Sequence, residues 1–253
     1  MKSYTLIGCG GTGSMFIAPV LAYLNSWHNN NDEPWEFNVV DGDAYESKNL
    51  SRQMFDPSFV GVNKAEALAS MYPQYPIRAI PKFIGEHELE NLMEEHSTIF
   101  IGVDNFSLRA LVEARAIKLR NCIVINAGNE MHDGNIQLWV RENGRNKTPR
   151  LSFCHPEIAY FGSEDRSAMS CLQVSQLPGG EQLIIANMAA AQNMLSMLWR
   201  YHTGLWKEKT SPTEIQFDLQ AGVVDHINMR LRKGWGKNKA TVRKIQVRAS
   251  TAT

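Results

Sequence analysis

Gly8, Gly10, Gly11 and Gly13 fall within six residues, together with Thr12 and Ser14. An apolar, strand-like run, Tyr4 to Ile7, leads in, and a helical pattern leads out. A Gly-x-Gly-x-x-Gly turn between a strand and a helix suits phosphate. Glycines let the backbone come close to the ligand, and the helix start offers unpaired N–H groups and positive dipole. Dehydrogenases use the same device, so the loop alone leaves both NAD(P) and ATP open. Asp41 closes the next strand-like run, where a carboxylate suits a ribose hydroxyl pair in either case. The stretch Asp43 to Gln53 separates the two readings better. It holds Asn49-Leu50-Ser51-Arg52-Gln53, for which a dehydrogenase has no use at that place.

The elements that must position these residues alternate. Strands are predicted near 4–7, 35–40, 77–81, 98–101 and 122–126, with helices near 12–25, 64–71, 86–95 and 107–119. That order predicts an α/β fold, a Rossmann-like, doubly wound, mostly parallel sheet. After Gly134 the pattern changes. A strand is expected at 135–141, a loop-rich stretch at 142–177, a long Ala- and Met-rich helix from Gly180 to about Tyr201, and late antiparallel strands at 214–219 and 240–248. With no repeat and no low-complexity linker, 1–253 reads as a single domain. Its nucleotide-binding half is 1–130. Its second half, 131–253, holds the loop, the long helix and a partner-docking face.

Composition narrows the function classes. Lys and Arg total 26, as do Asp and Glu, so whole-molecule charge favours neither nucleic acid nor a membrane surface. Hydrophobic residues at 43% suffice for a core. No apolar run has the length of a membrane span, and Met1-Lys2-Ser3-Tyr4 is not the start of a signal peptide, so a cytoplasmic protein is expected. The four cysteines, Cys9, Cys122, Cys154 and Cys171, form no Cys-x-x-Cys pair, so neither zinc nor a disulfide framework is expected. Eight Lys and Arg with no acid between Arg230 and Thr253 form either a solvated hairpin face or a docking surface for an acidic partner protein, with nucleic acid the weaker option.

Five runs in order carry a resemblance. Gly8 to Ser14, Asp41 with Asp43, Asn49 to Gln53, Gly61 with Lys64, and Asp104-Asn105 match Gly-x-Gly-Gly-x-Gly-Ser, Asp-x-Asp, Asn-Leu-x-Arg-Gln, Gly-x-x-Lys and Asp-Asn. Over roughly the first half the chain is similar to the ThiF/MoeB/HesA family, whose adenylating domain is shared with ubiquitin-activating enzymes. The second half matches more loosely and resembles a stand-alone bacterial branch such as the ThiF-type member of the plasmid-associated PRTRC group.

The resemblance implies an adenylyltransferase that joins the C-terminal carboxylate of a small ubiquitin-like, β-grasp or sulfur-carrier protein to the α-phosphate of ATP. It also implies a homodimer. Arg52 and Lys64 would then meet phosphates, Asp104 would hold Mg²⁺, and Asp43 would share that task or orient Arg52. Asp41 would bind ribose, and Asn49, Gln53 and Asn105 would offer amide contacts beside the Gly8, Gly10, Gly11, Thr12 and Gly13 loop. Cys171 would be the candidate nucleophile that takes over the acyl group. Blander roles stand beside these. Arg52 could sit in a surface ion pair, Asp104 could cap the following helix, and Cys171 could be a small buried hydrophobe. Lys64 in the first turn of a helix is disfavoured by the dipole, a misfit that an anion ligand would relieve. Two features of relatives are missing. The zinc-binding cysteine pairs have no counterpart, nor does an N-terminal helix whose Arg reaches a neighbour's ATP, for which Arg109 or Arg166 would substitute. An NAD(P)-binding oxidoreductase and a non-catalytic nucleotide-binding scaffold are the alternatives.

Overall fold

The computed structural model describes residues 1–161 and 183–229. Nine strands among them form one sheet. Its parallel part runs β3 (Ile77–Ile80), β2 (Trp35–Val40), β1 (Lys2–Ile7), β4 (Thr98–Ile101) and β5 (Cys122–Asn129). The antiparallel strands β6 (Asp133–Glu142), β8 (Glu214–Asp218) and β9 (Val223–Ile227) extend it, and the short β7 (Arg145–Asn146) pairs with β6. The sheet is thus the mixed, mostly parallel one expected, with antiparallel late strands.

The central strands are apolar on both faces because both are covered. On β4, Phe100 joins one cluster with Leu6, Phe37 and Ile125, while Ile99 and Ile101 join the opposite cluster with Ile7 and Val124. The first cluster is closed by α1 (Gly11–Asn31), α2 (Lys64–Met71) and α7 (Ile184–His202). The second is closed by α3 (Glu86–Leu92), α4 (Phe106–Lys118), α5 (Leu151–Cys154) and α6 (Glu157–Phe161).

Several bounds differ from the sequence reading. Helix α1 continues through Asn29, Asn30 and Asn31, where a polar loop was predicted. Burial of His28, whose Nε2 meets the Tyr4 hydroxyl at 2.9 Å, outweighs the modest propensity of the asparagines. Asp32, at φ 51°, then ends the helix in left-handed conformation. The stretch predicted to be loop-rich contains α5 and α6, and β9 was not foreseen. The expected strand 240–248, the basic run from Arg230, and Arg166, Ser170 and Cys171 lie outside the described residues.

Sheet order reverses between β1 and β4, which leaves a crevice at their C-terminal ends.

Candidate functional site

The crevice is an open cleft of about 240 Å³. Gly8, Gly10, Gly11 and Thr12 form its floor. Asp41, Asp43, Asn49, Arg52, Gln53 and Lys64 line one side, and Asp104, Arg109 and Asn129 line the other. A cleft of about 290 Å³ at the opposite, N-terminal end of the central parallel strands is lined by Tyr4, Trp27, His28 and His202. We assign the chemistry to the smaller one, because it combines the strand C-termini, a glycine turn and a helix N-terminus.

The four glycines have different reasons to be glycine. Gly8 takes φ +97°, and a Cβ there would overlap the Val103 side chain. At Gly13 a Cβ would overlap the Gly8 carbonyl oxygen, so this glycine lets α1 sit against β1. It does not reach the cleft wall. At Gly11 a Cβ would overlap the Asn187 carboxamide. Gly10 alone is open, with Gln53 Nε2 its nearest neighbour at 3.9 Å, so its missing side chain leaves room in the cleft. Helix α1 has no side-chain cap and no acid in its first turn. By contrast α2 is capped by Asn63 and α4 by Asn105. The uncapped first turn of α1 is the one that opens on the cleft, which suits an anion.

Asp41 reaches back over the loop. Its Oδ2 accepts from the Cys9 N–H at 2.7 Å and its Oδ1 from the Asp43 N–H at 2.9 Å. Burial raises its pKa against the opposing pull of Lys64 and these two N–H groups. Lys64, at the start of α2, is nearly buried and pairs with Asp43 at 3.3 Å. That pair accounts for a lysine at a helix start. Asp43 thus meets Lys64, a contact the sequence reading did not name beside its roles towards Arg52 or magnesium.

Asn49 is buried in a 3-10 turn, Ser47–Ser51, where its Oδ1 accepts from the Glu46 N–H at 2.9 Å. Gln53 is also buried, and its Oε1 finds no hydrogen-bond partner among the described residues. Asp104 is exposed on the cleft wall and does not cap α4. Asn105 does, accepting from the Leu108 N–H at 3.1 Å, and it lies off the wall. Arg109 is buried one turn into α4, donating from Nη2 to the Val103 carbonyl (2.8 Å) and the Ala127 carbonyl (3.1 Å).

Of the site residues singled out from sequence that lie among the described residues, the cleft gathers all but Gly13 and Asn105; Arg166 and Cys171 lie outside the described residues. Asn129 and Asn187 were missed. Thr12 Oγ1 donates to Asn129 Oδ1 at 2.9 Å, and Asn129 Nδ2 donates to Asn187 Oδ1 at 2.9 Å. The remaining thiols are poor nucleophiles. Burial raises the pKa of Cys9 and pushes those of Cys122 and Cys154 to about 12. Among the described residues no cluster of three His, Cys, Asp or Glu is placed to hold a metal, and no helix is long and apolar enough to cross a membrane.

A family model described as the ThiF family matches residues 2–233. Escherichia coli MccB solved with ATP is 20% identical, with a TM-score of 0.63, over 90% of this chain and 63% of that one. The structure of selenomethionine PaaA gives 16% and 0.63, over 90% and 64%. Escherichia coli MccB with AMPCPP and selenomethionine MccA gives 18% and 0.59, over 90% and 63%. The chain spans less than two thirds of the length of these structures, and the likeness shows the fold. No curated protein sequence matches the chain.

Proposed function

The chain belongs to the ThiF family, and we propose that it activates a terminal carboxylate by ATP-dependent adenylation. The observation that carries this reading is the uncapped first turn of α1 opening on the same cleft as Asp41, Arg52, Lys64 and Asp104. In the reaction a carboxylate oxygen attacks the α-phosphorus of ATP. The new bond is acyl–oxygen to phosphorus, and the bond broken is that to the leaving pyrophosphate. A terminal carboxyl has a pKa near ~3.5, so it arrives ionised and no general base is required. The obstacle is an anion approaching a polyanion, which positioned cations and N–H groups relieve.

The Gly10 floor and the first turn of α1 cradle phosphate oxygens. Arg52 and Lys64 neutralise them, and Asp41 holds the ribose. Arg109, buried on the opposite wall, adds a further cation to the cleft. Asp104 is an exposed carboxylate on the wall, which fits Mg²⁺ held through one or two carboxylates, phosphate oxygens and water. Magnesium bound there would supply charge neutralisation of the phosphates.

We take the substrate to be the slim C-terminal tail of a small ubiquitin-like or β-grasp carrier. Support for a peptide-like substrate comes from neighbours solved with MccA. A cytoplasmic homodimer, and acyl transfer to Cys171 after adenylation, complete the reading. The test is ATP–pyrophosphate exchange dependent on a small protein encoded beside this one. Arg52→Ala and Asp104→Ala should each lower exchange by about a hundredfold. Cys171→Ala should keep exchange and lose the transfer product. Tight NAD(H) binding with no ATP binding would replace this reading with an oxidoreductase.

A further inference from the structure

We propose that Asn187, far from the cleft in sequence and absent from its wall, is a positioning residue that sets Arg52 over the glycine loop; this inference rests on the adenylation reading above. Asn187 lies in the first turn of α7, a helix otherwise rich in alanine and methionine, and it is fully buried. A carboxamide in an apolar helix is costly unless its groups are paired, and these are paired across three separate segments. Its Oδ1 accepts from Asn129 Nδ2 at the end of β5, at 2.9 Å, and lies 3.5 Å from the Thr12 hydroxyl of the glycine loop. Its Nδ2 donates to the Arg52 carbonyl at 3.0 Å. Gly11 is glycine because this carboxamide occupies the place its Cβ would take.

Arg52 closes a 3-10 turn, where its N–H donates to the Asn49 carbonyl at 3.1 Å and the Gln53 N–H to the same carbonyl at 2.9 Å; the Asn187 contact instead holds the Arg52 carbonyl and ties this turn to the glycine loop. The turn lies outside the sheet. A second anchor sits two residues on, where the Met54 N–H donates to Ser14 Oγ at 3.0 Å and the same hydroxyl donates to the Gly11 carbonyl at 3.0 Å. Asn187 and Ser14 therefore clasp the backbone on either side of Gln53 and tie it to the glycine loop from below. The first of these anchors acts on the Arg52 peptide itself, next to the origin of its side chain. A cation that must meet a particular phosphate oxygen tolerates little error, since displacement by about 1 Å is enough to cost about a hundredfold in rate.

Asn187→Asp is the incisive variant. It keeps the shape and the acceptor for Asn129, but it turns an anion towards the Arg52 carbonyl in place of a donor. The experiment is a double-mutant cycle on the full chain with Arg52→Ala, reading the Kd for ATP by calorimetry, which needs no carrier protein. Asn187→Asp should weaken ATP binding about tenfold in the otherwise unchanged protein and less than about twofold in the Arg52→Ala background. Asn187→Ser, whose hydroxyl is too short to reach Arg52, repeats the cycle if the aspartate variant does not fold. A purely structural role would lower the melting temperature and weaken binding equally in both backgrounds, which overturns the inference. Wild-type affinity in both Asn187 variants overturns it too. If Arg52→Ala binds ATP as the wild type does, or if the wild type binds none, the adenylation reading fails and takes this inference with it.

Discussion

The contrast between Gly10 and Gly13 separates the floor of the cleft from the turn that supports it. At Gly10 an added methyl meets nothing closer than Gln53 Nε2 at 3.9 Å, so Gly10→Ala should fold. Gly10 is the N-cap of α1, and alanine is a poor residue there, so a loss of about 1 kcal/mol is expected. For a chain of this size that lowers the melting temperature by about 2–4 °C. The same methyl would stand where a phosphate oxygen meets the first-turn N–H groups. Losing one hydrogen bond to a charged group costs about 1.5–3 kcal/mol, hence about ten- to a hundredfold in ATP affinity. Gly13→Ala behaves oppositely. Its methyl overlaps a backbone oxygen, which only movement of β1 or α1 relieves. A loss above about 4 kcal/mol and little folded protein follow. Thermal unfolding and calorimetric titration with ATP on both variants decide the matter. Unchanged ATP affinity in Gly10→Ala would show that the phosphates lie elsewhere. A wild-type melting temperature in Gly13→Ala would show that the turn is not packed as described.

Three further outcomes follow from the charged groups. Lys64→Met should weaken ATP binding about tenfold, whereas Asp43→Asn should leave the urea midpoint nearly unchanged, because a pair with one exposed partner contributes less than about 1 kcal/mol; equal affinity in Lys64→Met and wild type would remove Lys64 from the phosphate site. Burial works to lower the pKa of His155, but hydrogen bonding and charge from Glu214 and Glu157 raise it. A pKa above the unfolded value stabilises fully below about pH 6.5 and fades as pH rises through the folded value, so urea stability measured from pH 6 to pH 9 should fall less in His155→Gln than in wild type. His202 is the reverse case. Burial, with help from His28 and Lys2, lowers its pKa from 6.5 to about 4. Its contribution is intact above pH 6.5 and is lost as pH falls towards 4; at about 1.4 kcal/mol per pH unit that is up to about 3 kcal/mol. His202→Phe should retain stability at pH 4.5 that the wild type loses, and parallel losses in the two proteins would count against the assignment.

Much of the fold is legible in the sequence because its central strands are buried on both faces. Runs such as Tyr4 to Ile7 and Thr98 to Ile101 are then short, apolar and bounded by glycine or polar residues, and the alternation with helices gives their parallel order. The misses have the opposite physics. Strand β9, Val223–Ile227, is mostly exposed and mixes Asp225 and His226 with its valines, so neither a continuous nor an alternating apolar pattern survives. Helices α5 and α6 are a turn or so each, too short to show a period of 3.6. The far end of α1 depends on a contact between His28 and Tyr4, 24 residues apart, which local propensity does not encode.

The cleft divides the same way. Its glycine loop, the Asp41 and Asp43 pair and the 49–53 run are each contiguous in the chain, so their chemistry is written in their spacing. The contacts that hold these pieces together are not contiguous. Asn129 meets Asn187 across 58 residues, and Asn187 meets the Arg52 carbonyl across 135. One signal was nonetheless present. A helix read as buried from its alanines and methionines has no use for an asparagine on its inner face unless something there needs a donor and an acceptor together. The same reasoning accounts for the doubled glycine of the loop. Gly10 leaves space for a ligand, but Gly11 leaves space for Asn187. Gly11→Ala should not be tolerated beside the full Asn187 side chain, and it should recover its fold when Asn187 is shortened to Ala. Recovery of the melting temperature without recovery of ATP affinity would separate packing from positioning, because the shortened side chain relieves the overlap but no longer holds Arg52.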